Sequence, residues 1–513
     1  MAGDDQAREE RGRRRGEIRS PLAPVTGVQV AAHNFLRRRD ESAITENEVD
    51  MVYDTGHREN AFLLLGAVLV VVVCVAMVVL AIIRPVGRVD RSQIVADADT
   101  HAIYVLVDGV LHPAWNLVSA QLVIGRPIKP ATVKPSVLAR YPTGPRVGIV
   151  DAPPALSVHG GESSRWAVCD TAPAASSDPE PTVTALSGAL TLGGRAAGLA
   201  SDAAILAEHA GSTYVVWGAH RSRIDLSNRG LALALGIDSG AVAPMRISNA
   251  LFDAIPATEA LETPRIPQVG AGPRWDVGSG AVVGSVLKVG GLAGAPDELY
   301  VLLADGVQRV EPFVASLVMS SSPGGQVAPL PVSPKVLASI PLANSLRVDY
   351  YPPRRLTLLD TRAFPVLCVA WSKGRGDREA VTTVVSGKGL PIPLSDEGNL
   401  TRLVRNDRRP NSVEANQVWV DPAAANLAAV TSAAPGATSR ESLWWLSPQG
   451  VRYGIAADAV NALGLNPESQ AVQVPWPLLR VYAQGPVLSR AAALVSADTV
   501  TQPPVVAPLS PPQ

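Results

Sequence analysis

One uninterrupted apolar segment constrains this chain more than any other feature of its sequence. Residues 61–83 read AFLLLGAVLVVVVCVAMVVLAII and contain no charged side chain. A helix of this length rises far enough to cross the roughly 30 Å hydrocarbon core of a bilayer. A cleaved signal peptide is the alternative, but the segment is too long for one and no small-residue cleavage motif precedes Arg84. The sequence therefore predicts one transmembrane helix.

The charges that flank this segment and the cysteines of the body after it give opposite indications of orientation. Only Arg58 is basic in the 20 residues before the segment, whereas three arginines lie between residues 84 and 91, which favours a cytoplasmic body. Cys169 and Cys368 are the only cysteines of that body, and such a pair is typical of one structural disulfide in an oxidising compartment. Two unrelated buried thiols in a cytosolic domain are the alternative. We give the cysteine pair more weight than the arginine count.

The composition excludes several classes of protein. The chain has 45 basic and 46 acidic residues, so its net charge is −1, whereas nucleic-acid-binding proteins normally carry a clustered basic excess. Apolar residues make up 47% of the 513 residues and aromatic residues only 4%. The sequence therefore predicts a large folded body with a core of Val, Leu and Ala, and no nucleic-acid partner.

The body after the apolar segment contains four segments that share one pattern. Each reads as a strand, a tight polar turn, a short strand, an Ala/Leu-rich helix, and a further short helix that ends in a loop. The dipeptides Asp108-Gly109, Asp305-Gly306 and Gln449-Gly450 supply hairpin turns in three of them. The four segments begin at Ala102, Ser212, Glu298 and Ser442.

A larger duplication contains these four repeats. Tyr104 precedes Cys169 by 65 residues, and Tyr300 precedes Cys368 by 68. A Pro-Pro element precedes each cysteine and a β-rich run follows it, so each half reads repeat, central piece, repeat. If a pseudo-two-fold axis relates the halves, the central pieces meet and a Cys169–Cys368 bond would join them. Closing a loop of that length removes up to about 5 kcal/mol of denatured-state entropy.

These features predict an α+β fold: a single transmembrane helix, then an elongated body of four α/β repeats in two pseudo-symmetric halves around a central, β-rich, disulfide-linked domain. Before the body we predict a disordered arm at 1–25, a pre-membrane helix at 26–60, the transmembrane helix at 61–83 and a linker at 84–100. The first half comprises repeat 1 at 101–157, a central piece at 158–205 and repeat 2 at 206–262. A linker at 263–280 leads to repeat 3 at 281–357, the other central piece at 358–435, repeat 4 at 436–497 and a Pro-rich disordered tail at 498–513.

Motifs for catalysis, cofactors or metals are absent from the sequence. No P-loop, H-E-x-x-H, C-x-x-C or G-x-S-x-G occurs. Ser386–Gly389 lacks the upstream glycine of a P-loop, and Gly278–Gly280 with Gly284 lacks the strand that precedes a dinucleotide loop, so we interpret both as ordinary loops. His112 reads as a turn or packing residue. The remaining histidines, among them His159, His209 and His220, have no ligand partner at metal-like spacing.

Two groups of residues leave a choice of role. Trp166, Trp371, Trp444 and Trp445 favour core packing, and a glycan-binding platform is the alternative. Phe35, Leu36, Arg37, Arg38 and Arg39 lie on the helix predicted before the membrane. They form either a solvated or lipid-contacting face or a docking site for a cytoplasmic partner, and the sequence does not separate the two.

Four segments of this sequence resemble the EccB family, the single-pass core subunit of mycobacterial and actinobacterial type VII (ESX) secretion systems. They are the segment from Val30 to Arg38, similar to V-x-x-x-x-F-L-x-R-R; Arg84-Pro85-Val86-Gly87 at the end of the apolar helix; YVLVDGVLHPAWNLVSAQLVIG from Tyr104; and Trp166 to Asp170. The third is the most specific. The chain departs from the family pattern at Ala114-Trp115 and at Ile149 to Pro153, where the family favours a Gly-rich string, which suggests a divergent paralogue.

The resemblance implies a cytoplasmic N-terminus, one crossing of the inner membrane, and an elongated periplasmic body of four repeats around a central domain closed by a disulfide. It implies assembly with the EccC, EccD and EccE subunits and self-association of the periplasmic bodies. The family's repeats are said to resemble the wall-binding subunit of a phage lysin. The function expected for this chain is therefore a structural and oligomerising subunit of the secretion complex.

Two other functions stay open. The family is also described as an ATPase, so ATP is a cofactor by family attribution only, and labelling of Lys388 or Lys373 by a lysine-directed ATP analogue would favour an enzyme. A peptidoglycan-binding anchor is the third interpretation, with the cell wall as a partner.

Overall fold

The computed structural model describes residues 26–45, 56–83, 89, 92–173, 180–237, 243–291, 296–322, 325–404 and 412–497. The chain divides into two units, Met1–Pro85 and Val86–Gln513. The predicted arm at 1–25, the tail at 498–513 and the three arginines between residues 84 and 91 lie outside the described residues.

The first unit contains two helices, α1 (Gly27–Thr45) and α2 (Gly56–Ile83). Helix α2 includes the whole apolar segment, and its side chains from 61 to 79 are exposed. Among the described residues it is the one helix long and apolar enough to cross a membrane, with a candidate span at Ala61–Val79. A helix that exposes apolar side chains on every face is suited to lipid rather than to water.

Repeat 1 shows the plan of all four repeats. Its elements are β1 (Ile94–Asp97), β2 (Ile103–Val107), β3 (Val110–Ala114), α3 (Leu117–Ile124), β4 (Ala131–Val133) and α4 (Pro135–Leu138). The sheet order is β3-β2-β1-β4, with β4 parallel to β1. The chain then returns to the other edge, where Thr143 and Val147 bridge β3 in parallel.

The next stretch supplies three central strands and repeat 2. The central strands are β5 (Ser163–Thr171), β6 (Thr182–Ser187) and β7 (Ala196–Gly198). Repeat 2 contains β8 (Ala203–His209), β9 (Ser212–Trp217), β10 (His220–Ile224), α5 (Arg229–Leu235), β11 (Met245–Arg246) and α6 (Asn249–Ala254).

Repeat 3 begins the second half and the remaining central strands follow it. Repeat 3 contains β12 (Val286–Val289), β13 (Glu298–Leu302), β14 (Val307–Val310), α7 (Pro312–Ser320), β15 (Leu330–Pro331) and α8 (Pro334–Leu337). After it come β16 (Thr357–Leu358), β17 (Val366–Gly374), β18 (Val381–Gly387), a 3₁₀ helix (Leu394–Asn399), β19 (Thr401–Arg402) and β20 (Gln417–Val420).

Repeat 4 completes the body. It contains β21 (Leu427–Thr431), β22 (Leu443–Leu446), β23 (Val451–Ile455), α9 (Ala457–Ala462), α10 (Pro467–Gln470), β24 (Val472–Pro475), α11 (Trp476–Leu479), β25 (Ala483–Gln484) and α12 (Arg490–Ala493). Its sheet order, β24-β21-β22-β23-β25, repeats the plan of repeat 1 with the return strand fully formed.

Each repeat has at least two strands more than the sequence pattern predicted, one before the hairpin and one after the first helix (β4, β11, β15 and β24). Strands β1, β8, β12 and β21 precede the hairpins, and each lies in the interior of its sheet. In repeats 1, 2 and 4 this strand starts before the predicted start of the repeat. A run of four or five apolar residues is ambiguous between strand, helix and loop in the sequence, and only its pairing partners identify it as a strand.

Local sequence explains where the hairpins and helices begin and end. Asp108 and Gly109 both adopt positive φ, at 51° and 80°, as a type I′ turn requires. The side chain of Asn116 accepts a hydrogen bond from the Ser119 backbone N–H at the start of α3, and Gly125 ends that helix in the left-handed conformation.

The repeats pack in pairs that join the two halves of the chain. Repeats 1 and 4 share one core, in which Ile94 and Val118 meet Leu427 and Trp445. Repeats 2 and 3 share another core, with helix α5 against α7. The first repeat of each half therefore packs against the second repeat of the other half, so the halves are interleaved rather than placed side by side.

Candidate functional site

The two halves meet in one seven-stranded sheet, whose order is β19-β20-β6-β5-β17-β18-β7. Strands β5, β6 and β7 come from the first half and the others from the second. Strands β5 and β17 lie beside each other near the centre and pair antiparallel over nine residues each. The predicted central domain is thus a single sheet to which both halves contribute.

The disulfide lies at the centre of this pairing. Cys169 is directly opposite Cys368, their Cα atoms are 4.0 Å apart, and their sulfurs are bonded across 199 residues of sequence. Trp166 is opposite Trp371 three residues away in the same ladder. The predicted disulfide is present, and it crosslinks the two halves between their adjacent central strands.

The two faces of the central sheet have different coverings. Along β5 the side chains alternate, so Trp166 and Val168 face the core shared with repeats 2 and 4, whereas Ala167 and Cys169 face the other side. The cysteine face is covered by Leu186, Trp419 and residues of the loops around 390. The disulfide is therefore fully enclosed, with both cysteines 0% exposed.

Asp170 is an ionisable side chain on the face that receives repeat 2. It is fully buried, and its carboxylate accepts hydrogen bonds from the backbone N–H of Ser248 at 2.6 Å and from the Ser248 hydroxyl at 2.8 Å. Ser248 is the N-cap of α6, and its hydroxyl oxygen accepts from the Leu251 N–H. Burial raises the pKa of Asp170 to about 7, although the Ser248 hydrogen bonds act in the opposite direction. One carboxyl group thus connects a central strand to a helix of repeat 2.

Repeat 4 contacts the same face through apolar groups and through hydrogen bonds that Ser164 and Lys373 donate to the backbone carbonyls of Gln473 and Ala437. Tyr482 is fully buried and meets Trp166 edge-to-face, with ring centroids 5.8 Å apart. Helices α6 and α11 also contact each other, and Arg480 forms an ion pair with Asp253 between repeats 4 and 2. Sequence reasoning gave no role to Asp170 or Tyr482. The sequence did contain a signal for Asp170. It lies two residues after Val168, so the alternation of side chains along β5 places this acidic residue on the inward face.

Three of the four tryptophans that the sequence singled out are core residues. Trp166, Trp371 and Trp445 are 2–3% exposed, as core packing predicts. Trp444 is only half-buried and lies beside an exposed ring, that of Trp476, which no sequence pattern singled out.

The loops that partly resemble phosphate-binding sequences have structural explanations. A side chain at Gly387 would collide with the Arg195 carbonyl, and one at Gly389 with the Arg195 guanidinium. The two glycines therefore allow Arg195, the residue before β7, to pack closely against them. Lys388 between them is exposed. The Lys373 ammonium is turned to the Ala437 carbonyl, to which it donates at 2.7 Å.

The histidines also have local partners. His112 covers Gly144 and contacts the Pro145 carbonyl through Nδ1 at 2.9 Å, in keeping with a packing residue. His209 stacks on Phe252. Within the described residues no group of three or more His, Cys, Asp or Glu is arranged to hold a metal ion.

The residues proposed for cytoplasmic docking all lie on α1, in the first unit. Phe35 is 42% exposed, and Arg37, Arg38 and Arg39 are exposed as well. Phe35 and Arg39 are four residues apart and so lie on one face of the helix. Arg37 forms an exposed ion pair with Glu41 at 3.2 Å one turn later.

Comparison with known proteins gives consistent matches along most of the chain. The family model for the type VII secretion system ESX-1 transport transmembrane domain B matches residues 22–502. The chain is 48% identical over 482 residues to the ESX-2 secretion system ATPase EccB2 of Mycobacterium tuberculosis strain H37Rv, which covers 94% of this chain and 96% of that protein.

Solved structures give the same result. A chain of the periplasmic assembly from the ESX-5 inner membrane complex is 37% identical and matches with a TM-score of 0.71, over 82% of this chain and 100% of that one. The EccB3 dimer from the ESX-3 core complex is 33% identical with a TM-score of 0.67, over 79% of this chain and 100% of that one.

Proposed function

Because the chain belongs to the EccB family of type VII secretion proteins, we propose that it is a structural subunit of an ESX secretion complex in the inner membrane. The observation that carries the proposal is the seven-stranded sheet shared by both halves and crosslinked by Cys169–Cys368. That sheet joins four repeats into one body, and a body of this fold forms the periplasmic assembly of the ESX-5 relative. Its function is to anchor and oligomerise the periplasmic part of the machine.

The proposed topology has the N-terminus in the cytoplasm and the body in the periplasm. The buried disulfide supports it, since such bonds persist in oxidising compartments and are rare in the cytosol. Single cysteines introduced at exposed positions test it, with Cys74 replaced by Ala. An impermeant maleimide should label the Ser432→Cys variant, in the body, in intact spheroplasts. It should label the Val28→Cys variant, in α1, only after lysis. The reverse pattern would contradict the orientation.

The α1 helix is the proposed cytoplasmic docking element for the EccC, EccD and EccE subunits. Phe35 supplies an exposed aromatic side chain, and Arg37, Arg38 and Arg39 supply exposed positive charge; aromatic residues and arginine are enriched at protein–protein interfaces. Replacing Phe35 by Ala together with Arg38 and Arg39 by Glu should release these partners while the chain stays in the membrane. Val28→Ala, at an exposed apolar residue outside the docking group, is the matched control and should leave them bound.

Removal of the chain from its own host tests the structural role. We expect the EccC, EccD and EccE subunits to persist in the membrane but to lose their high-mass assembly, and type VII substrates to remain in the cell. The full-length chain supplied in trans should restore both. Export that continues at the normal level without this chain, in a host with no second copy of the same system, would overturn the proposal.

A further inference from the structure

An open aromatic surface lies on the edge of repeat 4. Trp476 at the start of α11 is 36% exposed, and its ring centroid is 5.5 Å from that of Trp444, with a 44° angle between the planes. Gly454 lies under Trp444 in the sheet, and a methyl group placed there would touch both Trp444 and Val487 at 3.5 Å. Val487 is 49% exposed. Trp444, Trp476 and Val487, with Gly454 as the floor, form what we name the tryptophan groove.

A buried arginine holds the groove in shape. The Arg452 guanidinium lies 4.9 Å from the Trp444 ring centroid and 5.0 Å from that of Trp476. Its Nε donates to the Tyr482 carbonyl and one Nη to the Gln484 side chain. With Arg452 only 5% exposed, the two rings are fixed from below, and their outer surfaces stay open.

Repeat 2 shows what the same arrangement looks like when it is closed. Arg221 in repeat 2 is equivalent to Arg452 in repeat 4. Arg221 bridges the segment that returns to the sheet edge, and the next bridge is three residues later, at Ile224. Arg452 pairs with the corresponding segment of repeat 4, and there too the next bridge is three residues later. The Arg221 guanidinium lies 3.6 Å from the Phe252 centroid, and His209 stacks parallel on Phe252 at 3.8 Å. Phe252 is thus covered by both Arg221 and His209. Trp476 has Arg452 at one side, but among the described residues no ring stacks parallel on it. The open ring in repeat 4 is a specific difference between two related stacks.

The chain itself carries a segment with the chemistry that such grooves bind. Residues 499–513 read TVTQPPVVAPLSPPQ, with five prolines, no charge, and the P-x-x-P string Pro508-Leu509-Ser510-Pro511. Proline-rich segments favour the polyproline II conformation, and aromatic-lined grooves bind it with little loss of conformational entropy. An uncharged ligand also suits this groove, because Arg452 lies beneath the rings and the open side of the groove is formed by Trp444, Trp476 and Val487.

We propose that the tryptophan groove binds the chain's own proline-rich tail. The last described residue, Ala497, donates its N–H to the Arg146 carbonyl in repeat 1, next to the Val147 bridge. Val147 and Trp445 belong to the same core, and Trp445 and Trp444 are successive residues of β22 that face opposite sides of the sheet. The tail therefore begins on the face opposite Trp444. That sheet of five strands is about 20 Å across, whereas the 11 residues to Pro508 extend about 34 Å as polyproline II. The tail is therefore long enough to round the sheet edge, and tethering raises its effective concentration. This inference does not depend on the proposed secretion function.

Photo-crosslinking in the full-length protein in detergent micelles tests the proposal. Leu509 is replaced by p-benzoylphenylalanine, and natural-abundance and nitrogen-15-labelled chains are mixed in equal amounts before irradiation. We expect tail peptides crosslinked to β22, β23 or α11 peptides of the same isotope label. Trp476→Ala, and independently Val487→Asp, should lower the yield about tenfold, and both residues are exposed enough that the fold should persist.

Matched controls distinguish binding in the groove from nonspecific hydrophobic association of the tail with the body. Leu394→Ala removes an exposed apolar side chain elsewhere in the body and should leave the yield unchanged. In the tail, Pro508→Ala with Pro511→Ala should lower it, whereas Ser510→Ala should not. Crosslinks that join differently labelled chains would assign the groove to the tail of a second copy and overturn the intrachain placement. Crosslinks whose yield is unchanged in both Trp476→Ala and Val487→Asp would overturn the proposal altogether.

Discussion

Repeats 2 and 4 share the order of four strands and pack on the same face of the central sheet, yet different side chains attach them to it. Repeat 2 is joined through the buried carboxyl of Asp170, which receives two hydrogen bonds at the N-terminus of α6. At the corresponding place in repeat 4, Tyr482 packs against Trp166, and α11 begins after Pro475 with no side-chain cap. Ser164 and Lys373 add hydrogen bonds to backbone carbonyls of repeat 4. One attachment is therefore sensitive to protonation and the other to packing, although the two repeats share one pattern.

The disulfide should have the largest effect, because it supports both attachments at once. Replacing Cys169 and Cys368 by Ser frees the denatured halves from each other and should lower the free energy of unfolding by up to about 5 kcal/mol. The measurement is chemical denaturation of the full-length protein in detergent, with Cys74→Ser as the control at an exposed cysteine of α2. An unchanged midpoint in the Cys169/Cys368 variant would mean that the sheet needs no crosslink between its halves.

The pH dependence of stability should distinguish repeat 2 from repeat 4. The pKa of Asp170 is about 7 in the folded protein against an ordinary value of 3.8, so the folded state binds the proton more tightly than the unfolded state. Stability from this group is therefore greatest at low pH and is lost as the pH rises from about 4 to about 7, with an upper bound of about 4 kcal/mol.

Hydrogen exchange read at α6 and α11 measures this directly. Exchange of the α6 amides should quicken between pH 5 and pH 8 beyond the intrinsic chemical rate, and α11 should show no such change. Asp170→Asn, which cannot titrate, should flatten the profile of α6. A wild-type profile that is already flat would remove the distinction between the two attachments.

Two substitutions at one residue should separate packing from hydrogen bonding in repeat 4. Tyr482→Ala leaves a cavity beside Trp166 and should cost about 3–5 kcal/mol. The Tyr482 hydroxyl is buried and makes no hydrogen bond in the structure, so Tyr482→Phe should be neutral or slightly stabilising. Thermal unfolding compares the two variants, and a substantial loss in Tyr482→Phe would show that the hydroxyl has a partner.

The smallest effect is expected at the two lysines considered for ATP. Lys388 is exposed between two glycines that accommodate Arg195, and Lys373 donates to a carbonyl of the body. We expect Lys388→Ala to leave stability within about 0.5 kcal/mol of wild type and to leave any ATP turnover of the purified protein unchanged. Loss of turnover in that variant, with labelling of Lys388 by a lysine-directed ATP analogue, would instead favour an enzyme.

The sequence was sufficient for features that are local or repeated. The apolar run identified α2, the four hairpins identified the repeats, and two isolated cysteines in equivalent places identified the disulfide. The strands before the hairpins (β1, β8, β12 and β21) and those after the helices (β4, β11, β15 and β24) were missed, because only its pairing partners in the sheet identify such a short segment as a strand. The pairing of repeat 1 with repeat 4 and of repeat 2 with repeat 3 was missed for a related reason, since it depends on long-range packing that no local pattern encodes.

The attachments that distinguish repeats 2 and 4 could not be predicted from sequence patterns alone. Asp170 was noticed only within a family string, although an acidic residue at an inward position of a strand is a signal of a buried hydrogen-bonded group. Trp476 follows a proline in a short segment and gave no periodic pattern. Its exposure, and the closed counterpart at Phe252, became visible only when the two repeats could be compared in three dimensions.

We propose above that this body is a structural subunit of an ESX inner-membrane complex. The most direct test of this proposal is native-gel sizing with mass spectrometry of the tagged full-length protein, solubilised in mild detergent from its own host. We expect a single high-mass species that contains EccC, EccD and EccE together with more than one copy of this chain. A monomer or small homo-oligomer without those subunits would contradict it.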